Sequence, residues 1–203
     1  MAQQNPLSNS QIREQIKSRR DALSSVRQQA AAQSLALHIK ATPAYRRSQH
    51  VAVYWAVGGE IGVQPLIDDL WRQGKQCYLP VVIGQEMIFV EYAPTTKMMA
   101  NGFNIPEPLD HTKTIDLRAL DLVITPLVAF DKKGNRLGMG GGYYDRTFAF
   151  LGSQTVSSRQ ECVVENKPEL MGVAHECQEV ERLMAEPWDI ALHSVVTDKG
   201  VVL

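Results

Sequence analysis

Cysteine is scarce in this chain of 203 residues, which contains only Cys77, Cys162 and Cys177. An odd number of cysteines without close pairs argues against a disulfide framework and for reduced thiols. The first ten residues are polar and lack the apolar core of a signal peptide, and no apolar run approaches the length that spans a membrane. We therefore expect a cytoplasmic protein.

The chain also lacks an excess of charge of either sign. Its 21 Lys and Arg residues and 22 Asp and Glu residues leave a net charge of −1. This balance provides no electrostatic footprint for nucleic acid or an anionic membrane, so neither is expected as a partner. The hydrophobic content of 44% suits one compact domain, which we predict over residues 1–203.

The apolar pattern predicts alternating helices and strands, and hence an α/β sheet with helices on both faces. Helices are expected over residues 8–40 (with a break near Ser24), 64–72 and 143–151. Strands are expected over residues 50–57, 76–83, 87–92, 120–130, 170–175 and 194–197. A polar stretch over residues 152–168 is predicted to be a surface excursion.

Glycine is concentrated in residues 134–146, where five glycines fall within nine positions. Glycine adds no side chain to a core and loses the most backbone entropy on ordering, so packing does not explain the cluster. Bare backbone N–H groups can instead close around phosphate oxygens. Arg136 and Arg146 add positive charge, and Asp145 is a carboxylate of the kind that holds Mg²⁺ beside a polyphosphate. The alternative is a flexible surface loop.

This glycine loop differs from the common nucleotide-binding motifs. It has no Gly-Lys-Ser/Thr ending, which excludes a Walker P-loop. Tyr143 stands where a GxGxxG run starting at Gly138 needs its third glycine. A strand-like run precedes the loop and a short predicted helix follows it, an order that directs a helix N-terminus at a phosphate. The pattern therefore predicts a phosphate site of another family.

Residues 134–146 resemble the glycine-rich signature of the 5-formyltetrahydrofolate cyclo-ligase family, also called methenyltetrahydrofolate synthetases. Shorter matches follow in the family's order over nearly the whole chain: Ile12-Arg13, Gly59-Glu60-Ile61, Gln64-Pro65-Leu66-Ile67, Tyr78-Leu79-Pro80, Ile105-Pro106-Glu107-Pro108 and Pro187-Trp188-Asp189. The central loop is specific, and the order of the others adds weight. The resemblance implies a single-domain, Rossmann-like mixed sheet.

The resemblance also implies the reaction, which is the ATP-dependent cyclisation of 5-formyltetrahydrofolate to 5,10-methenyltetrahydrofolate with release of ADP and phosphate. The formyl oxygen is a poor leaving group, so its phosphorylation would precede ring closure. Phosphoryl transfer depends on positioning and charge stabilisation, which backbone N–H groups, arginines and Mg²⁺ supply. The expected ligands are ATP, Mg²⁺ and the folate, with or without a polyglutamate tail, and the expected state is a monomer.

Residue roles are implied in the same way. ATP would be bound by Arg13, Arg136, Leu137, Gly138, Met139, Gly140, Gly141, Gly142, Tyr143 and Tyr144. The folate would be bound by Trp55, Glu60, Met139, Gly140, Gly141, Gly142 and Tyr143. Arg136 and Tyr143 would be catalytic, and Asp145 and Asp189 would hold Mg²⁺. From the residues alone, both aspartates also suit a helix start or cap. Arg13 likewise suits a solvated basic face shared with Lys17, Arg19 and Arg20, and Trp55 suits the core.

Several positions depart from the family's usual residues. Lysine is common a turn before Arg13 and between the last two loop glycines, whereas this chain has Asn9, Ser10 and Gly141. Threonine and aspartate are frequent where Val63 and His193 stand. Phosphate-neutralising charge would then come from Arg136, Arg146, Lys132 or Lys133.

Two other functions stay open at this point. One is a different enzyme on a related sheet, such as a sugar-phosphate isomerase or CoA transferase, that binds its substrate's phosphate in the loop. The other is a non-catalytic folate and nucleotide sensor. A hydrolase is disfavoured because no Gly-x-Ser-x-Gly elbow occurs. No paired spacing supports zinc binding by Cys162, His175, Cys177 and His193.

Overall fold

The structure, a computed structural model, describes residues 7–152, 168–184 and 186–203. The helices are α1 (Asn9–Asp21), α2 (Ser25–Ala41), α3 (Pro43–Arg47), α4 (Gln64–Arg72) and α5 (Tyr143–Thr147). The strands are β1 (His50–Ala52), β2 (Gln76–Ile83), β3 (Glu86–Glu91), β4 (Met98–Ala100), β5 (Pro106–Pro108), β6 (Leu122–Pro126), β7 (Ala129–Phe130), β8 (Arg136–Leu137), β9 (Glu169–Ala174), β10 (Ser194–Thr197) and β11 (Gly200–Val201). Short 3-10 helices occur at Leu117–Ala119, Ala149–Leu151 and Glu176–Gln178.

Seven strands form one mixed sheet in the order β11-β10-β9-β6-β1-β2-β3. The five central strands are parallel to their neighbours, and β3 and β11 are antiparallel edges. The chain moves from β1 to β2 on one side and later to β6 on the other, so the order reverses between β1 and β6. Ligands of open α/β sheets bind beyond the carboxyl ends of the strands at such a reversal. The topology therefore positions a site beyond β1 and β6.

Helices cover both faces of the sheet, as predicted, but unequally. On one face, α2 and α4 bury Leu35, Ile39, Leu66 and Leu70 against β1, β2, β6, β9 and β10. On the other face, Phe148 follows the short α5 and packs fully buried against Phe89, with ring centroids 5.9 Å apart. The predicted α/β class with a mixed sheet is confirmed.

Side-chain caps explain where the first two helices begin. The Ser8 hydroxyl accepts the Gln11 N–H group, and the Gln11 side chain accepts the Ser8 N–H group, which together form a capping box. The Ser24 hydroxyl accepts the Arg27 N–H group at the start of α2. The predicted break near Ser24 is confirmed because α1 ends at Asp21.

Two predicted strands are shorter than expected. The run over residues 50–57 leaves the sheet after β1, although the Val53 N–H group still donates to the Tyr78 carbonyl at 2.9 Å. The run over residues 120–130 divides into β6 and β7, because β7 pairs with β8 in a separate hairpin. Proline has no N–H group for a sheet ladder, and Pro126 is the last residue of β6.

Three further predictions, for the helix over residues 143–151, the excursion over residues 152–168 and the reduced thiols, have different outcomes. The helix expected over residues 143–151 ends at Thr147 and continues as the 3-10 helix Ala149–Leu151. The excursion expected over residues 152–168 lies outside the described residues apart from its two ends. Cys77 and Cys177 are free thiols. In the described part of the chain, no helix has both the length and the apolar character needed to cross a membrane.

Candidate active site

A cavity of about 810 Å³ lies beyond the carboxyl ends of β1 and β6. Its walls come from α1, from residues 54–60 after β1 and from the glycine loop between β8 and α5. Met184, Glu186, Trp188 and Asp189 also line it. Every site residue predicted from the sequence lines this cavity. The structure thus brings together side chains that are far apart in the chain, and their individual roles stay predictions.

The glycine loop reaches the cavity from the β7–β8 hairpin. Gly140 has φ +99° and Gly142 has φ +62°, both in the left-handed region that side chains disfavour. Within the described residues, no hydrogen bond uses the N–H groups of residues 138–142. These donors, turned by left-handed glycines, suit the oxygens of a phosphate.

Helix α1 holds Arg13 against this loop. Ile12 and Ile16 are buried beside Val128 and Leu137, which anchors the helix. The Arg13 Nε donates to the Gly138 carbonyl at 2.9 Å. Its Nη2 would lie only 3.6 Å from a Cβ atom at position 140, so glycine at this position allows the close approach. The contact brings a cation to the loop.

Arg136 is fixed by two partners at the base of the loop. Its guanidinium donates to the Asp145 carboxylate and to the Ile190 carbonyl. The Ile190 N–H group in turn donates to Asp145 Oδ1 at 3.1 Å. The side chains of Arg136 and Asp145 are only 8% and 24% exposed. This network joins the loop to residues 186–190 and holds a guanidinium at the cavity wall.

The two predicted metal ligands, Asp145 and Asp189, line the same cavity. Each already accepts a backbone N–H group, Asp145 from Ile190 and Asp189 from Glu186 at 2.9 Å. No cluster of three or more His, Cys, Asp or Glu side chains suited to a metal occurs among the described residues. Mg²⁺ is commonly held by one or two carboxylates together with substrate phosphates, and this pair of carboxylates fits that pattern.

Glu60 lies at the other end of the cavity, beyond a turn through Gly58 (φ +57°) and Gly59 (φ +77°). One carboxylate oxygen of Glu60 accepts the Val57 N–H group at 3.0 Å. Burial raises the pKa of the Glu60 carboxyl, and the Val57 hydrogen bond and the Arg20 charge partly oppose that rise. Burial and the Glu60 charge also raise the pKa of Tyr144. The cavity therefore has a partly buried carboxylate away from the contact between Arg13 and the glycine loop.

Glycine suits the surroundings of position 141, where the family often has lysine. A Cβ atom there would lie 2.9 Å from the Tyr143 ring. The Arg146 Nη1 donates to the Gly141 carbonyl at 2.8 Å, and its guanidinium lies 5.0 Å from the centroid of the Tyr143 ring. Arg146 thus supplies positive charge beside a position where a side chain would press on the Tyr143 ring. Lys132, in contrast, pairs with Glu179 outside the cavity.

Several cavity residues were not predicted from the sequence. Apolar side chains that are 68–79% exposed form its rim, namely Phe103, Met184 and Trp188, together with the predicted Met139 at 71%. Exposed apolar groups around a cavity are typical of a ligand site. Arg20 also lines the cavity and is buried, so the prediction that it belongs to a solvated face was wrong. Its spacing of four residues from Ile16 and seven from Arg13 was the signal that could have placed it.

Predicted Trp55 is partly buried and has two surroundings. It packs against the main core cluster, with its ring in an edge contact with Tyr92 at a centroid distance of 6.3 Å. It also lines the cavity. The core and substrate-wall interpretations of Trp55 are therefore compatible.

Comparison with known proteins gives a consistent result. The sequence model of the 5-formyltetrahydrofolate cyclo-ligase family matches residues 6–198. The 5-formyltetrahydrofolate cyclo-ligases of Escherichia coli (strain K12) and Haemophilus influenzae are 42% and 40% identical to this chain over 190 residues, covering 92% of it and 98% and 95% of those proteins. The NMR structure of Aquifex aeolicus 5,10-methenyltetrahydrofolate synthetase matches with a TM-score of 0.78 and 30% identity, covering 96% of this chain and 92% of that one. A 5,10-methenyltetrahydrofolate synthetase from Mycoplasma pneumoniae matches with a TM-score of 0.70 and 26% identity, covering 95% and 99%. The chain belongs to the 5-formyltetrahydrofolate cyclo-ligase family.

Proposed function

We propose that this protein catalyses the ATP-dependent cyclisation of 5-formyltetrahydrofolate to 5,10-methenyltetrahydrofolate. The observation that carries the proposal is the lining of one cavity. The free N–H groups of the glycine loop lie in one part of it with Arg13 and Arg136, and the half-buried Glu60 lies in another part beside Arg20. A phosphate donor and a molecule with paired N–H groups can therefore bind side by side.

The nucleotide binds at the glycine loop. Backbone N–H groups of residues 138–142 donate to phosphate oxygens, and Arg13 adds charge from α1. Arg136 is held rigidly by Ile190 and Asp145, which keeps its guanidinium ready to stabilise charge on the phosphoryl group during transfer. Mg²⁺ held by Asp145 and Asp189 would neutralise phosphate charge.

The folate binds towards Glu60. The free oxygen positions of this carboxylate accept the paired N–H groups of the pterin's amino-pyrimidine edge. Trp55, Met139 and Tyr143 contact the ring system, and the exposed apolar rim covers the remainder of the ligand. This placement directs the formyl group towards the loop and the γ-phosphate.

The reaction then needs no nucleophile from the protein. The formyl oxygen attacks the γ-phosphorus, the bond between phosphorus and the bridging oxygen breaks, and ADP leaves. The folate N10 adds to the activated formyl carbon, loses its proton, and the carbon–oxygen bond breaks to release phosphate. The protein orients the reactants and excludes water, which are the main requirements of phosphoryl transfer. Tyr143, held under Arg146, lies beside the loop where the two ligands meet.

The test is direct. Purified protein with MgATP and 5-formyltetrahydrofolate should develop the absorbance of the methenyl product, with one ADP and one phosphate per product. Binding of both ligands without product would favour a sensor. Turnover of a phosphosugar instead would favour an isomerase.

We also propose that the enzyme is monomeric and cytoplasmic and accepts polyglutamylated substrate. Measurement of its molecular mass in solution tests the monomer, and substrates of increasing tail length test the acceptance of polyglutamate.

A further inference from the structure

Arg20 is a buried cation whose hydrogen bonds are incomplete. It lines the cavity while only 4% of its surface is exposed. Buried charged donors are normally paired, because leaving them unpaired away from water is costly. Within the described residues, Arg20 Nε and Nη1 have no hydrogen-bond partner. Arg20 therefore borders the cavity with a guanidinium in which two shielded nitrogens are unpaired.

Helix α1 presents Arg13 and Arg20 to two different parts of this cavity. Seven residues separate them, which is about two turns, or about 10 Å along the helix. Arg13 contacts the glycine loop. Arg20 lies at the Glu60 end, since its Cβ atom would be 3.4 Å from a Cβ atom at position 59. The two arginines thus serve separate parts of the ligand space.

Arg20 and Glu60 face this part of the cavity with opposite charges. They interact electrostatically, because the Arg20 charge opposes the rise in the pKa of Glu60. No ion pair joins them in the part of the chain that the structure describes. A guanidinium and a carboxylate that stay apart can each contact the same planar ligand, one as donor and the other as acceptor.

We propose that Arg20 is a specificity-determining residue that donates hydrogen bonds to the 4-oxo oxygen of the reduced pterin. The inference rests on the proposed function. The pyrimidine edge of this ligand presents a carbonyl acceptor next to two N–H donors. Glu60 accepts hydrogen bonds from the two donors, and Arg20 donates to the adjacent carbonyl. Together, Glu60 and Arg20 therefore bind every polar group of this pyrimidine edge.

Two other acceptors on the ligands fit this position less well. The phosphates of ATP are bound about 10 Å away along α1, at the end that Arg13 marks. The carboxylates of the glutamate tail are at the opposite end of the folate from the pterin, and the negative charge of Glu60 would repel them. The neutral 4-oxo carbonyl, next to the N–H groups that Glu60 accepts, is the acceptor that fits this position.

The test compares two ligands that differ only at positions 3 and 4 of the pyrimidine ring. In a 4-amino-4-deoxy derivative of 5-formyltetrahydrofolate, the carbonyl is replaced by an amino donor that faces Arg20, and N3 has no hydrogen. The change at N3 affects the partner of Glu60 equally in every Arg20 variant, so the change in the affinity ratio between variants reports on Arg20. Titration calorimetry should show that the unsubstituted protein prefers the 4-oxo ligand. Arg20→Met keeps the apolar stem but removes the donors, so affinity for the 4-oxo ligand should fall about tenfold or more. Affinity for the 4-amino ligand should change little, and the ratio of the two affinities should fall about tenfold.

The controls separate recognition from packing. Lys17→Met is a matched change on the exposed face of α1 and should alter neither affinity. Arg20→Lys keeps one cationic donor group without the fork, and its affinity ratio should fall between those of the unsubstituted protein and Arg20→Met. If Arg20→Met does not fold, the affinity ratio of Arg20→Lys tests the proposal.

Clear results would overturn the inference. Equal loss of both affinities, or an unchanged ratio in the folded variants, means that Arg20 does not read the 4-oxo group. If the unsubstituted protein turns over 5-formyltetrahydrofolate but the ratio of the 4-oxo and 4-amino affinities is the same in the Arg20 variants, only this inference fails. If the unsubstituted protein does not bind 5-formyltetrahydrofolate, the proposed function fails as well.

Discussion

The Arg136 guanidinium and the Asp145 carboxylate form an ion pair at the base of the glycine loop. Both also bond to the backbone of Ile190, through its carbonyl and its N–H group respectively. Asp145 therefore has two possible tasks, to hold a metal and to orient Arg136. The segment that carries Trp188 and Asp189 is tied into the same network, so the loop and this segment depend on one another.

Asp145→Asn should separate these two tasks. Asparagine keeps an oxygen for the Ile190 N–H group but removes the charge that attracts Mg²⁺ and Arg136. We expect the fold to persist, turnover to fall about tenfold or more, and the Mg²⁺ concentration for half-maximal activity to rise. Steady-state kinetics over a range of Mg²⁺ concentrations measures both quantities.

Asp68→Asn provides the control, because Asp68 is exposed on α4, lies outside the cavity lining and accepts a hydrogen bond from the Gln64 side chain. It should leave turnover and Mg²⁺ dependence unchanged. A fully active Asp145→Asn enzyme would refute the metal assignment. Reduced turnover with an unchanged Mg²⁺ requirement would assign Asp145 to the orientation of Arg136 alone.

Local sequence signals predicted the regular parts of the fold well. Helix α4 has the predicted bounds because Pro65 favours its first turn and Gly74 follows its end. Strand β2 matches residues 76–83, which precede a turn at Gly84. The apolar run over residues 120–130 could not be divided, since a run buried throughout has no period that marks where one strand ends.

Cavity residues were predictable only where a motif identified them. The glycine loop has a local signature, and Glu60 follows a strand across two glycines. Phe103 and Met184 have no such signal, because their place at the rim depends on how distant segments meet. Arg20 depends on which face of α1 turns inward, and the basic residues around it obscured that face. The positions of Phe103, Met184 and Arg20 in the cavity are therefore set by tertiary packing and not by a local sequence pattern.

Arg136→Lys should affect turnover more than nucleotide affinity. Lysine lacks the planar fork that reaches both Asp145 and the Ile190 carbonyl. If Arg136 stabilises charge on the phosphoryl group during its transfer, the barrier should rise by about 2–4 kcal/mol, which is about a 30- to 900-fold fall in kcat. Single-turnover rates and ATP titration measure the two effects. Arg46→Lys, on the exposed end of α3, should change neither. Loss of ATP affinity with intact turnover at saturation would make Arg136 a ground-state anchor.

Asp69→Asn should destabilise the packing of α4 on α2 and α3. Asp69 is buried and accepts hydrogen bonds from Tyr45 at 2.7 Å and Gln73 at 2.5 Å. It also pairs with Lys40 and Arg72. Removing the charge leaves these donors poorly matched, at a cost of about 1–3 kcal/mol in unfolding free energy. Urea unfolding at pH 7 measures it, and the exposed neighbour Asp68→Asn should cost much less.

The effect of Asp69 should depend on pH. Although burial opposes ionisation, the hydrogen bonds and charges around Asp69 lower its pKa below the usual 3.8. The unfolded chain therefore binds a proton at a higher pH than the folded protein, and the stabilisation is complete above about pH 5. This stabilisation should disappear as the pH falls through the lowered pKa. The difference in unfolding free energy between Asp69→Asn and the unsubstituted protein should therefore become smaller. A difference independent of pH would show that the charge of Asp69 contributes nothing.

Glu60→Gln should weaken folate binding and leave ATP binding nearly unchanged. Glutamine keeps the shape but turns one acceptor into a donor, which leaves pterin N–H groups unpaired at a cost of about 1–3 kcal/mol. Burial raises the pKa of Glu60 above its usual 4.5, and binding requires the carboxylate. Affinity for 5-formyltetrahydrofolate should therefore already decline above pH 4.5 as the pH falls through the raised pKa, whereas Glu60→Gln should bind weakly without that dependence. Titration of both ligands at several pH values measures this. If folate affinity holds while ATP affinity falls, Glu60 belongs to the nucleotide end and the two ligands are placed the wrong way round.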